Sequence, residues 1–125
     1  MTEALEALVA AAAAARENAY APYSGYAVGA ALRSRDGRVF TGANVENASY
    51  PAGICAERAA LAAAVAAGAR QFDAIALYAA GKATPCGICR QALAEFGDME
   101  VVCAGPDAAL RSFRLSDLLP EAFSL

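Results

Sequence analysis

The sequence contains no histidine, and Lys82 is its single lysine. Without an imidazole, every mechanism that uses histidine as a base or as a metal ligand is excluded. The formal net charge is -3. A chain with so few lysines and a net negative charge is poorly suited to binding the phosphate backbone of a nucleic acid. We therefore expect no nucleic-acid polymer as a partner.

A basic leader and a long apolar run are also missing. Residues 7–15 are small and apolar, but the run is too short to span a bilayer. No Lys or Arg precedes it, whereas a secretory signal needs a positive start. We expect a cytoplasmic protein that does not bind membranes. In that compartment the four cysteines are expected to be metal ligands or free thiols rather than disulfides.

The length of 125 residues predicts a single domain over residues 1–125, and no linker or internal repeat divides it. Hydrophobic residues make up 58% of the chain, which indicates a folded protein. Much of this fraction is alanine, which buries little area per residue. We therefore expect the core to rest on Leu, Val, Ile, Phe and Tyr.

Apolar periodicity and turn residues predict alternating helices and strands. The predicted elements are a helix over 2–18 capped by Thr2, strands over 26–33 and 38–44 joined at Asp36-Gly37, a helix over 56–67 ended by Gly68, a strand over 72–80, a helix over 86–96 ended by Gly97, a strand over 100–104, a further strand near Phe113 and Leu115, and a helical turn over 116–119. This alternation predicts an α/β sandwich, and the opening hairpin makes its sheet mixed.

Three cysteines and one glutamate stand at the starts of two predicted helices. Cys86 and Cys89 are three residues apart, so on a first helical turn they share a face and can chelate one ion. Cys55 would be the third ligand. A zinc ion with three protein ligands keeps a fourth position for water. Glu57 is close enough to Cys55 in sequence to accept and donate that water's protons.

Three thiolates on Zn²⁺ give a net charge of about -1, which weakens the ion as a Lewis acid. Two features compensate for this. Both helix N-termini direct positive dipole ends toward the sulfurs. Arg58, and also Arg90, are expected to donate hydrogen bonds to the thiolates.

Other interpretations of the cysteines stay open at this point. Cys86-x-x-Cys89 alone is typical of thioredoxin-like redox motifs. A closed structural zinc site could recruit Cys103 as a fourth ligand, although its apolar neighbours favour a buried small side chain. Glu57 could also be an ordinary exposed helix residue. A zinc-stabilised binding module is the corresponding alternative to an enzyme.

Polar residues follow the second predicted strand. In extended chain, residues two apart share a side, so Asn44 and Glu46 would point together while Val45 turns inward. The polar pair could bind sugar hydroxyls, or it could be a solvated strand end.

A zinc-deaminase signature combines these parts: H-x-E, or its three-cysteine version, followed by P-C-x-x-C. Cys55-Ala56-Glu57 and Pro85-Cys86-Gly87-Ile88-Cys89 fit the three-cysteine version. Further segments extend the similarity over most of the chain, namely residues 23–30 (YSGYAVGA), 44–50 (NVENASY) and 118–123 (LLPEAF). With them, the chain resembles the homotetrameric cytidine deaminases.

This resemblance implies a three-layer α/β/α fold with a mixed five-stranded sheet. It also implies one zinc per subunit held by Cys55, Cys86 and Cys89, with Glu57 as the proton shuttle. Arg58 matches the arginine that bonds to the ligand thiolates.

The resemblance further implies a set of substrate contacts. The Ala56 backbone N–H would meet the pyrimidine carbonyl, while Asn44 and Glu46 would hold the ribose, with Glu46 on the 3′-hydroxyl. Tyr26 stands where the family usually has Phe stacked on the base, so its hydroxyl needs a partner. Phe123 matches an aromatic that reaches a neighbouring subunit's site.

The implied reaction is hydrolytic deamination of cytidine and deoxycytidine to uridine and deoxyuridine, with release of ammonia, in pyrimidine salvage. Deaminases of other aminopyrimidine nucleosides, or of nucleoside-like antibiotics such as blasticidin S, share the metal motif and remain an alternative. A deaminase of DNA or RNA is disfavoured by the acidic composition.

Overall fold

A computed structural model describes residues 2–125, so Met1, the first residue of the expected domain, lies outside the described residues. In chain order the elements are helix α1 (Glu3–Arg16), strands β1 (Val28–Ser34) and β2 (Val39–Ala43), a 3-10 turn (Tyr50–Ala52), helix α2 (Ala56–Ala66), strand β3 (Phe72–Ala79), helix α3 (Gly87–Ala94), strands β4 (Glu100–Gly105) and β5 (Ala108–Arg114), and the one-turn helix α4 (Leu115–Leu118).

The predicted elements are all present, with ends displaced by a few residues. Thr2 is the N-cap of α1, as expected, and its Oγ1 accepts a hydrogen bond of 3.2 Å from Leu5 N. Gly68 and Gly97, which follow α2 and α3, have positive φ angles of +94° and +102°. The last strand begins earlier than expected, and Leu115 belongs to α4.

Five strands form one sheet in the order β2-β1-β3-β4-β5. The neighbours β3 and β4 are parallel, and the other three pairs are antiparallel. Helix α3 makes the crossover that a parallel pair requires. The prediction of a mixed five-stranded sheet is therefore confirmed.

Helices cover both faces of this sheet. On one face, Leu8 and Ala12 of α1 pack on Ala31 of β1 and on Ala74 and Ala76 of β3. On the opposite face, alternate residues of the same strands, such as Leu32 and Ile75, pack with buried residues of α2 and α3. The three-layer α/β/α arrangement is confirmed. No helix among residues 2–125 is long and apolar enough to cross a membrane.

Alanine contributes more to the core than expected, because it allows helices to approach the sheet closely. Within the described residues 2–125, the buried core contains ten alanines and no tyrosine. Glycine allows a still closer approach than alanine: a Cβ on Gly42 of β2 would lie 2.4 Å from Ala60 N and 2.5 Å from Ala56 O in α2. Gly42 thus fixes the distance between β2 and the first turn of α2.

The residues singled out by the sequence lie near one end of the central strands. Gly29 near the start of β1 pairs with Ala43 at the end of β2, and Val28 pairs with Ala79 at the end of β3. The segments that leave β2 and β3 here lead into α2 and α3. The N-termini of α2 and α3 consequently lie at this end of the strands.

Candidate metal centre and substrate pocket

Two of the three predicted ligands are N-cap residues. Cys55 precedes α2 and Cys86 precedes α3, both with extended backbone angles and with no side-chain capping hydrogen bond. Their thiols therefore do not cap their own helices. The positive ends of both helix dipoles lie next to the sulfurs, where they favour negative charge.

The structure brings the three thiols together. The Sγ atoms of Cys55, Cys86 and Cys89 all lie within 4.8 Å of one another, and Cys55 and Cys86 are 3.8 Å apart. Tetrahedral zinc with bonds of about 2.3 Å to sulfur requires sulfurs separated by about 3.8 Å. The donor atoms and their spacing therefore fit a zinc ion with three thiolate ligands.

Arg58 supports negative charge on these sulfurs. Its Nη2 donates to Cys55 Sγ at 3.5 Å, and its Nε is buried with no hydrogen-bond partner among residues 2–125. A hydrogen bond from Cys89, and then one from Arg58, lower the pKa of the Cys55 thiol to about 5. The same bond to Cys55, together with burial, raises the pKa of Cys89. A divalent cation would let the clustered thiols deprotonate together.

Glu57 is buried on the first turn of α2, with 4% of its surface exposed. It is one of two buried polar residues among residues 2–125. Burial raises the pKa of Glu57 to about 7, and the nearby Cys55 acts in the same direction. The interpretation of Glu57 as an ordinary exposed glutamate is wrong.

Cys103 does not join the thiol cluster. It lies on β4, is 2% exposed, and packs in the main apolar core. Burial raises the pKa of the Cys103 thiol to about 11. A closed site with four cysteines is therefore not formed among the described residues.

A cavity of about 520 Å³ opens beside the thiol cluster. Eight of the ten residues singled out for the site line it: Tyr26, Asn44, Glu46, Cys55, Ala56, Glu57, Arg58 and Cys86. Cys89 is fully buried behind them, and Phe123 lies outside this cavity. The volume is within the range of small-molecule sites.

Asn44 and Glu46 both line the cavity, and both also form hydrogen bonds with other residues that line it. Asn44 Nδ2 donates to Tyr26 O at 2.9 Å, and its Oδ1 accepts from Val28 N at 2.8 Å. Glu46 accepts hydrogen bonds from the Ser24 hydroxyl and from Ser24 N at 3.1 Å. Hydrogen bonds from Ser24, the hydroxyl first, lower the pKa of Glu46, so its carboxylate is anionic at neutral pH.

The expectation that Val45 turns inward is wrong. Val45 is 41% exposed and lines the cavity together with its two neighbours. The chain has left β2 at Ala43, and Val45 makes only isolated bridges to Tyr20 and Ile54. The alternation of a continuous strand therefore does not apply here.

The two aromatic candidates have different environments. Tyr26 lines the cavity, and its hydroxyl donates to Ala80 O at 2.5 Å, which is the partner that a tyrosine at this position needs. Phe123 is 67% exposed. Gln91 holds the Phe123 backbone through hydrogen bonds of 3.0 and 3.3 Å, so the backbone of this exposed residue is tied to α3.

Comparison with known proteins decides the family. The family model described as "Cytidine and deoxycytidylate deaminase zinc-binding region" matches residues 2–105. The chain belongs to this family. The match includes all three thiols of the cluster and Glu57. The Cys86-x-x-Cys89 pair is accordingly part of a zinc site and not a separate redox motif.

Individual members of the family are similar over nearly their whole length. A probable cytidine deaminase of Dictyostelium discoideum is 46% identical over 98% of this chain and 85% of its own. The cytidine deaminase of Sporosarcina psychrophila is 44% identical over 96% and 91%. A crystal structure of the cytidine deaminase of Burkholderia pseudomallei superposes with a TM-score of 0.90 at 52% identity, covering 98% and 100%.

Several residues that shape the site were missed or misassigned from the sequence. Arg90 was expected at the thiolates, but it donates instead to Pro85 O at 2.7 Å, Thr84 Oγ1 and Leu118 O. Ser24 was not identified as a partner of Glu46. A signal for Gly42 was available, since glycine inside a strand often marks a close backbone approach.

Proposed function

We propose that this family member hydrolyses the exocyclic amine of cytidine and deoxycytidine, giving uridine and deoxyuridine with ammonia. One observation supports this above the others: Glu57 is a buried carboxyl group that lines a small-molecule cavity beside three clustered thiols. A purely structural zinc site needs neither the cavity nor the carboxyl group.

The chemistry needs a nucleophile and two proton deliveries. Zinc held by Cys55, Cys86 and Cys89 would supply a Lewis acid that activates water. Glu57 would accept one proton of the water and deliver it to N3 of the pyrimidine as the remaining hydroxyl bonds to C4. Glu57 would then accept the proton of that C4 hydroxyl and deliver it to the amine, so that the C4–N bond breaks, ammonia leaves and the C4 carbonyl of uridine forms. The Ala56 N–H, at the first position of α2 and so outside the helix's own hydrogen bonds, is available to the pyrimidine carbonyl.

The charges of the cavity favour a nucleoside over a nucleotide. Among the described lining residues, Arg58 alone is cationic, and it already donates to Cys55. A 5′-phosphate would thus find no free cation, while the carboxylate of Glu46 would repel it. Neutral hydroxyls of a ribose can instead donate to Glu46 and bond to the Asn44 amide.

Exposed aromatic side chains near the cavity and in the C-terminal segment support assembly into a homotetramer. Tyr23 and Tyr50 are 64% and 86% exposed near the cavity mouth, and Phe123 is 67% exposed in the C-terminal segment. Exposed apolar groups of this size are typical of interaction surfaces. We infer that Phe123 enters the cavity of a neighbouring subunit, with light scattering on the purified protein as the test of assembly.

We also infer that residues 1–125 act as one catalytic domain in the cytoplasm, in pyrimidine salvage. The four thiols are all free, and the clustered ones must stay reduced to bind zinc. A deaminase that prefers free nucleosides to nucleotides would serve pyrimidine salvage. Measured activity on the free nucleosides at low substrate concentration would support it.

A substrate panel tests the proposal. Ammonia release is measured with cytidine, deoxycytidine, cytosine, deoxycytidine 5′-phosphate, blasticidin S and other aminopyrimidine nucleosides. We expect the two nucleosides to react and the phosphate to react poorly. Higher kcat/KM for the antibiotic or for another nucleoside would favour the alternative substrate class, and no release from any compound would contradict the proposal.

Glu46→Ala separates recognition of the ribose from recognition of the base. The variant should lose far more kcat/KM on cytidine than on cytosine, because only the riboside contacts Glu46. Glu95→Gln, an exposed carboxyl beyond α3, is the control. Equal losses on both compounds would show that Glu46 does not read the sugar.

A further inference from the structure

The hydroxyl of Tyr26 joins two walls of the cavity. Tyr26 precedes β1, and its Oη donates to the carbonyl oxygen of Ala80, which follows β3, at 2.5 Å. The two residues are 54 positions apart in the chain. A phenylalanine at position 26 would present the same ring to the cavity but could not make this bond.

The segment 81–85, which leads from Ala80 to the metal ligand Cys86, is held independently of Tyr26. Three side chains hold it: Asp107, which accepts from Gly81 N at 2.9 Å, Arg111, which donates to Ala83 O at 2.9 Å, and Arg90, which donates to Pro85 O at 2.7 Å and to Thr84 Oγ1 at 2.9 Å. Because these contacts fix the segment, the Tyr26 bond is not required to keep Cys86 in place.

The backbone of Tyr26 is held, because Asn44 Nδ2 donates to its carbonyl oxygen at 2.9 Å and its N–H donates to Ser24 Oγ at 3.0 Å. Its side chain makes one hydrogen bond within residues 2–125, from Oη to Ala80 O, and the residue is 42% exposed outside the helices and strands. Gly25 before it has a φ of +69°, and no atom lies within 4 Å of where its Cβ would be. An exposed aromatic on such a loop has several accessible rotamers. The bond to Ala80 therefore restrains the ring more than it restrains the segment.

We propose that the Tyr26 hydroxyl is a positioning group that locks the aromatic wall of the pocket, by its bond to Ala80, in the orientation that receives the pyrimidine base. The inference rests on the proposed deamination of cytosine nucleosides. It assigns the hydroxyl to binding of the base, and neither to zinc retention nor to proton transfer. Pre-ordering the ring lowers the entropy lost when the ligand binds.

Tyr26→Phe removes the hydroxyl and keeps the ring. KM should rise by about 2- to 10-fold, the factor that corresponds to one net hydrogen bond. The factor should be the same for cytidine and deoxycytidine, because the inference assigns the ring to the base and not to the sugar. The dissociation constant of the product uridine, measured by calorimetry, should rise by a similar factor, while kcat and the zinc content per chain stay unchanged.

Tyr20→Phe is the matched control. Tyr20 is 56% exposed, does not line the cavity, and makes no side-chain hydrogen bond within the described part of the chain. Its variant should match the wild type in KM and in affinity for uridine.

Each contrary result has a distinct meaning. A Tyr26→Phe enzyme with wild-type KM and uridine affinity would overturn the inference alone. A fall in zinc content or in kcat at unchanged KM would also overturn it, because the hydroxyl would then support the metal segment. A wild-type protein that neither binds uridine nor deaminates cytidine would overturn the proposed function together with the inference.

Discussion

The side of the cavity that carries the thiols and the side expected to receive the ribose differ in burial and in local structure. Cys89 and Glu57 are 0% and 4% exposed, and they lie on the first turns of helices packed against the sheet, while Cys55 is half-buried and Cys86 is exposed. Tyr23 and Tyr50, near Glu46 on the other side, are 64% and 86% exposed and lie outside the strands and the α-helices.

This difference separates functions that one chain can perform alone from functions that need a neighbouring subunit or a ligand. Buried groups on helices keep fixed geometry, as a metal site and a proton shuttle require. Exposed aromatic groups on loops are poorly ordered until something packs against them. We therefore expect substitutions on the buried side to act on zinc and kcat, and those on the exposed side to act on KM and assembly.

Glu57→Gln should give the largest effect. The amide cannot accept or deliver the proton, so kcat should fall by about 10³-fold or more. Zinc content should remain at the wild-type level, because Glu57 is not a ligand. Both are measured on the same preparation, by ammonia release and by elemental analysis. Substantial turnover by the Gln variant would rule out Glu57 as the proton shuttle.

Gly42→Ala should have the next largest effect, through the position of α2. The new methyl would lie 2.4 Å from Ala60 N and 2.5 Å from Ala56 O, both backbone atoms. Displacing the helix should destabilise the fold by about 1–3 kcal/mol and lower zinc retention. The control is Gly87→Ala in α3, where a Cβ would meet no atom within 4 Å. Equal stability of the two variants would contradict a role for Gly42 in placing α2.

Arg58→Ala tests the charge beside the sulfurs. Loss of its hydrogen bond to Cys55 should weaken zinc affinity by about 10- to 100-fold, measured by competition with a chromophoric chelator. Arg35→Ala, which removes an exposed arginine of the β1–β2 turn, should leave zinc affinity unchanged. If both variants bind zinc as the wild type does, Arg58 does not support the ligand thiolates.

Asp98→Asn should have the smallest effect, because Asp98 does not line the cavity. Burial acts against ionisation, but hydrogen bonds from Ser116, and then one from Arg114, hold the pKa of Asp98 below its ordinary 3.8. A lowered folded-state pKa stabilises the fold above the unfolded value, and this stabilisation is lost as the pH falls through the folded value.

At pH 7 the free energy of unfolding of the Asp98 variant should be lower than that of the wild type by less than about 1 kcal/mol. The variant should therefore unfold at a slightly lower temperature. The difference should shrink as the pH falls below about 3.8. Thermal unfolding followed by circular dichroism measures both, with exposed Glu121→Gln as control. A difference that grows toward low pH would contradict the assigned hydrogen bonds.

The metal motif was predictable from sequence because its constraints are local. Cys86 and Cys89 share a helical turn, and glycines end the predicted helices at positive φ. The error at Val45 arose where the local rule stopped, since the strand ends two residues earlier. The contacts of Arg90 with Leu118 and of Tyr26 with Ala80 join residues 28 and 54 positions apart, and no spacing rule reaches that far.

X-ray absorption on the purified zinc-loaded protein tests the metal centre most directly. We expect three sulfur scatterers at about 2.3 Å and one oxygen or nitrogen scatterer at about 2.0 Å, from one zinc per chain. The spectrum should then change when uridine is added. Four sulfur scatterers, with no response to the nucleoside, would show a closed structural site and would contradict a catalytic role for the cavity.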